Sequence, residues 1–119
     1  MSKTNELGRL GEDLAVDFLQ DKGYQIIARN WKYRKAEVDI IAEVDSFLVF
    51  VEVKTRSSTD FGLPQEFLKN PQIRRLITAA DAFTTQFKRK EEVRFDIVAI
   101  SIKKSVPEIE HIEQAFYWF

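Results

Sequence analysis

The chain has 119 residues, with 18 Lys and Arg against 19 Asp and Glu, a formal net charge of −1 and a pI near 5.9, which excludes a protein that coats nucleic acid through bulk positive charge. A hydrophobic share of 45% with ten Phe, three Tyr and two Trp builds one core, and the length excludes two domains, so residues 1–119 read as a single domain. Without cysteine there are no disulfides, thiolate metal sites or thiol nucleophiles, and with no apolar leader and no run near the ~18 residues of a membrane span, the expected location is the cytoplasm.

Over residues 5–22 the apolar side chains Leu7, Leu10, Leu14, Phe18 and Leu19 recur at helical spacing, and Gly23 follows as a carboxy-terminal cap. Gly8 and Gly11 each cost about 1 kcal/mol relative to Ala inside such a helix. Gly11 falls within the apolar stripe, which predicts close approach to another backbone there. Glu12 borders the stripe and taken alone reads as a solvent-facing helix glutamate. Residues 24–33 form a first strand by aromatic and β-branched content, with imperfect alternation.

Residues 36–54 then read as a hairpin, with Asp45-Ser46 as the turn between runs rich in Val, Ile and Phe. Symmetric reversal sets Val44 against Phe47, Asp39 against Glu52 and Glu37 against Lys54, so four charged groups meet on one patch; a bulge in either strand would alter that register. The second strand begins apolar on both faces, Phe47, Val49 and Val51 on one and Leu48 and Phe50 on the other, the pattern of a central, covered strand. Two readings stand side by side. The charges form a cross-strand ion-pair ladder, or Asp39 and Glu52 offer hard oxygen ligands to Mg²⁺ or Mn²⁺ while Lys54 positions a water or steadies developing negative charge.

Residues 55–66 read as a loop broken by Gly62 and Pro64. Asn70-Pro71 caps a second helix whose stripe is Ile73, Leu76, Ile77, Ala80, Phe83 and Phe87, with Arg74 and Arg75 off the stripe. Residues 93–102 form another strand in which Asp96 is a polar interruption, read as the ion-pair partner of a nearby arginine. Pro107 breaks the chain, residues 112–119 read as an edge strand or packed tail, and His111, in an acidic stretch, reads as a surface residue. Basic residues collect at Arg29, Lys32, Arg34 and Lys35, at Lys54 and Arg56, at Arg74 and Arg75, and at Lys88-Arg89-Lys90, a distribution that permits nucleic-acid contact although a solvated face explains any one cluster.

The order helix, three strands, helix, strand, with Asp39 on the second strand and Glu52-x-Lys54 on the third, resembles the restriction-endonuclease-like nucleases. It implies an α/β fold with an αβββαβ core and a mixed central sheet flanked by helices. More closely, Gly8-Arg9-Leu10-Gly11-Glu12, Asn30-Trp31, Glu37-Val38-Asp39-Ile40-Ile41-Ala42, Phe50-Val51-Glu52-Val53-Lys54-Thr55-Arg56, Phe61-Gly62-Leu63-Pro64, Arg74-Arg75-Leu76 and Arg94-Phe95-Asp96-Ile97-Val98 resemble the YraN-like family of small bacterial proteins over residues 6–102. That family is similar in turn to archaeal Holliday-junction resolvases, dimeric Mg²⁺-dependent nucleases that cut branched DNA. The resemblance implies a metal-dependent endonuclease with Asp39, Glu52 and Glu12 as metal ligands, Lys54 near the attacking water, Mg²⁺ (or Mn²⁺) as cofactor, DNA as partner and a homodimer. Arg29, Lys32, Arg56, Arg74 and Arg75 are the candidates to hold phosphates. Two positions depart from the family: Ala36 where a Gly is usual, and Gln72 where a Lys is usual, for which Lys69 would substitute. The alternative is a nucleic-acid-binding or adaptor domain that keeps the nuclease fold without turnover.

Overall fold

The computed structural model describes residues 3–56, 70–103 and 106–116. Helix α1 (Lys3–Asp21) leads into strands β1 (Gln25–Tyr33), β2 (Ala36–Val44) and β3 (Phe47–Arg56), followed by α2 (Asn70–Gln86), β4 (Glu92–Lys103) and β5 (Val106–Ile112). The strands form one sheet in sequence order, antiparallel throughout except for β3 beside β4. A parallel pair needs a crossover, and α2 supplies it. This is the mixed α/β sheet with flanking helices that the nuclease-like core requires. The loop expected over residues 55–66 begins later, because Thr55 and Arg56 continue β3 in its pairing with Ile100 and Ser101 of β4; residues 57–66, Lys69 and the tail beyond Phe116 lie outside the described residues.

Each helix covers one face of the sheet. Leu48 and Phe50 pack with Leu76, Ala79, Ala80 and Phe83 of α2, whereas Val49 and Val51 pack with Ala15 and Leu19 of α1; all four β3 side chains are fully buried. The expected central strand is therefore β3. The stripe on α1 is rotated from the one drawn through its large residues: the line of closest contact is Gly11, Ala15 and Leu19, and Leu10 is half exposed. Small residues win the contact line because they let the helix settle onto the sheet. At Gly11 an added Cβ would stand 1.8 Å from Oγ1 of Thr55, and at Gly8 it would meet nothing. The near neighbour is thus the Thr55 side chain rather than another backbone. Gly11→Ala is expected to destabilise by about 1–3 kcal/mol through overpacking, outweighing its better helix propensity, while Gly8→Ala gains about 0.5–1 kcal/mol; urea midpoints moving in the same direction for both would contradict this. The helix ends at Gly23 (φ 92°), where Gly23 N–H bonds Gln20 O and Tyr24 N–H bonds Leu19 O, a left-handed cap that answers two orphan carbonyls.

The Asp45–Ser46 turn sets Val44 against Phe47 as expected, and the ladder continues to Ile40 against Val51. There it stops, short of the anticipated Asp39–Glu52 and Glu37–Lys54 pairs. The cause lies one strand away. Asn30 has φ 53°, a left-handed conformation that Asn tolerates, and the β1–β2 pairing passes from Arg29–Ile40 to Trp31–Val38 without joining Asn30 to Asp39. Arg29 and Asn30 consequently both turn toward α1, while Ala28 and Trp31 both pack on the α2 side. In β2 the alternation slips at the same level, Ile40 facing α1 and Val38 facing α2.

The carboxy-terminal edge differs from expectation. Pro107 stands within β5, opposite Ile102, a position open to proline because an edge strand leaves N–H groups unused. Asp96 does pair with an arginine: Arg94 Nε and Nη2 donate to its two oxygens at 2.9 Å each. Its other partners are His111 Nε2 at 2.7 Å and Gln114 N–H at 3.0 Å. His111 is not a surface residue. Its side chain is 3% exposed, edge-on to Phe18 and Tyr24. Lys22 Nζ, which can only donate, lies 2.7 Å from Nδ1, so Nε2 carries the proton given to Asp96. The acidic composition of the segment hid a period-two pattern in which exposed Glu108 and Glu110 alternate with inward Ile109 and His111.

Candidate active site at the open end of the sheet

The irregularity at Asn30 and Asp39 builds the site. Released from the ladder, Asp39 turns its carboxylate to β3, where Oδ2 accepts the Val53 N–H at 2.8 Å. Glu52, 8% exposed, lies beside it at the end of the buried stretch of β3, and its Oε1 accepts from Gln72 Nε2 of α2 at 2.8 Å and faces Lys54 Nζ at 3.5 Å. The described hydrogen bonds thus engage one oxygen of each carboxylate.

Burial raises the Asp39 pKa to about 7, with the Glu52 charge adding to the effect and Glu12 and Glu37 adding less. Burial also raises Glu52, against the opposing pull of Lys54 and Gln72. Two carboxylates held together out of water repel each other and favour a shared proton, or a cation in its place.

Glu12 approaches from α1, brought close by the contact of Gly11 with Thr55. Its Oε1 accepts from Arg29 Nε at 3.1 Å and from Asn30 Nδ2 at 2.8 Å, and Arg29 Nη2 reaches Asp13 at 2.7 Å. Arg29 is therefore bound into the acidic rim and positions Glu12. Among the described residues no three acidic or histidine side chains come close enough together to enclose one ion.

Two cavities meet at Asp39 and Glu37. On the α1 side a cleft of about 730 Å³ contains Glu12, Lys32, Lys54 and Arg56 together with Arg9. On the α2 side a cavity of about 220 Å³ contains Glu52, Gln72, Lys35 and Arg75, and Arg74 lies just beyond. The structure thus brings together Asp39, Glu52 and Lys54, with Glu12 at the rim of the same cleft. Lys32 and Arg56 stand on one side, Arg74 and Arg75 on the other.

Sequence reasoning missed Asn30 and the inward role of Gln72. The imperfect alternation of residues 24–33 was the signal for the first. The second had only its place one turn into α2, since helical spacing does not say which polar residue faces a carboxylate on the sheet.

A mixed sheet ending in a carboxylate pair beside a lysine, helices on both faces, defines a small α/β protein with a nuclease-like core. Comparison by sequence agrees with the motif resemblance: the profile described as "Uncharacterised protein family UPF0102" matches residues 11–100. The UPF0102 protein of Flavobacterium psychrophilum is 50% identical over 119 residues, all of both chains; that of Christiangramia forsetii is 48% identical over the same span, and one from Bacteroides fragilis 47% over 117 residues, 98% of this chain and 97% of its own. The chain belongs to UPF0102, the YraN-like family. Among the described residues no helix is long and apolar enough to cross a membrane.

Proposed function

We propose that the chain is a divalent-metal-dependent nuclease that hydrolyses phosphodiester bonds in structured or branched DNA. The observation that carries this reading is the pair Asp39 and Glu52, a half-buried and a buried carboxylate from neighbouring strands, opening into cavities rimmed by cations. Their oxygens fit Mg²⁺ or Mn²⁺, and Mg²⁺ is commonly held by one or two carboxylates plus substrate phosphate and water. A bound ion would neutralise charge on the transferring phosphoryl group and acidify an attacking water.

The remaining work falls to side chains of this chain. Lys54, which faces Glu52, would orient the water and meet developing negative charge. Gln72 holds Glu52, and Arg29 with Asn30 holds Glu12 at the rim. Lys32, Arg56, Arg74 and Arg75 would hold phosphates, which fixes position without reading sequence. A homodimer and a cytoplasmic location belong to the same reading.

The test is cleavage of four-way-junction, flap and linear DNA with Mg²⁺ or Mn²⁺, beside calorimetric titration of each metal. Asp39→Asn and Glu52→Gln are expected to abolish both cutting and saturable metal binding while circular dichroism stays unchanged. Retained cutting by either variant would end the proposal. A second reading, an adaptor domain that binds nucleic acid without turnover, is favoured by one observation: Glu12 and Glu52 are engaged by Arg29, Asn30 and Gln72 rather than gathered as a ligand trio. DNA affinity equal with and without Mg²⁺, with no breaks, would select it.

A further inference from the structure

Beyond the carboxylate pair, the α2-side cavity continues into an open groove of about 360 Å³ between the β1–β2 turn and the first turns of α2. Lys35 and Arg75 line both spaces, and Arg34 and Arg74 line the groove alone, with Tyr33, Ala36 and Thr78 completing it. Four cations line it and no acid does. Among the described residues none of the four is ion-paired, the one contact of this kind being Arg34 over the Tyr33 ring at 5.1 Å. Three other arginines are matched: Arg29 with Glu12 and Asp13, Arg89 with Glu43 and Glu91, Arg94 with Asp96. All four are exposed, a local basic surface on a chain whose net charge is −1, which favours contact with a polyanion.

We propose that this groove is a second backbone-phosphate site, distinct from the α1-side cleft, so that a polynucleotide strand is gripped on both sides of Asp39 and Glu52. It rests on the nuclease reading for its purpose, and on the groove alone for its existence. The strand would enter along Arg9 and Lys32, cross the end of the sheet, and leave along Lys35, Arg75, Arg34 and Arg74. The phosphate facing the carboxylates is then internal to the strand, and a free end is not needed. Covalently closed single-stranded DNA is therefore bound, and cut if the protein cuts at all.

The experiment measures binding apart from cleavage. Fluorescence anisotropy of a labelled oligothymidylate is followed without metal across a salt series, using Asp39→Asn and the same protein carrying Arg34→Gln and Arg74→Gln; both arginines are exposed, so the fold is kept. Losing two phosphate contacts is expected to raise Kd about tenfold or more and to reduce the slope of log K against log salt by about 1.4, at ~0.7 per contact on a single strand. Unchanged Kd and slope would overturn the groove even if the wild type cuts DNA, leaving the nuclease reading intact. The expected loss of binding in a protein that never cuts keeps the groove and discards the nuclease. A protein that binds no oligothymidylate overturns the groove, while cutting of junction or flap DNA decides the nuclease reading separately.

Discussion

Asp39→Asn is expected to make the protein more stable while ending its response to divalent metal. Asp39 is raised to about 7 in the folded chain by burial and by Glu52, whereas the unfolded chain releases that proton near 3.9. Between those values the native state binds more protons, so this residue's contribution to stability falls as pH rises from about 4 to about 7 and its cost is complete above that. Asn is neutral at every pH, and its side-chain oxygen can still accept the Val53 N–H. Urea unfolding should therefore show a gain on the order of 2 kcal/mol at pH 8, shrinking toward zero near pH 4. Mg²⁺ at about a hundred times its Kd should add about 2.7 kcal/mol to the wild type at pH 8 and nothing to the variant. A variant less stable than wild type at pH 8, or one that Mg²⁺ still stabilises, would show that the carboxylate is structural.

Asp96→Asn is expected to act in the opposite direction and more strongly. Burial alone would raise the Asp96 pKa, but bonds from His111, Arg94 and the Gln114 N–H outweigh it and hold the carboxyl below its usual range. Its stabilising contribution is present above the unfolded value near 3.9 and is lost as pH falls through the lowered folded value. Substitution leaves the buried Arg94 charge without its bidentate partner, a loss of about 3–5 kcal/mol, enough to consume much of the stability of a small domain. It should also free the carboxy-terminal edge, because β5 and the segment after it are tied to Asp96 through His111 and Gln114. Hydrogen exchange would show early loss of protection over residues 106–112. Wild-type stability in the variant at pH 7 would mean that Arg94 finds compensation from Tyr24 and Glu113.

The two carboxylates differ because Asp39 sits with other acids at an open cleft, whereas Asp96 is enclosed by an arginine, a histidine and a backbone amide. Sequence separated them in part, setting Asp39 beside Glu52 through a tight turn and Asp96 near an arginine two residues away; the remaining partners, Glu12 and Gln72 in one case and Tyr24 and His111 in the other, come from far away in the chain.

Local order and one-dimensional pattern determined a great deal. The doubly apolar run at 47–51 dictated a buried central strand, Asp45-Ser46 fixed the hairpin turn, and Gly23 and Asn70-Pro71 set helix ends, because these features are settled by neighbours within a few residues. Asp39, Glu52 and Lys54 fell together for the same reason, being adjacent through a tight turn. Tertiary structure decided the rest. A left-handed Asn30 in the next strand broke the ladder and turned Asp39 inward, the Gly11–Thr55 contact brought Glu12 to the rim, α2 delivered Gln72 to Glu52, and β5 folded His111 under Phe18 and Tyr24. Each of these depends on how elements far apart in sequence pack, and packing follows the shapes of both partners, which hydropathy in one dimension does not carry.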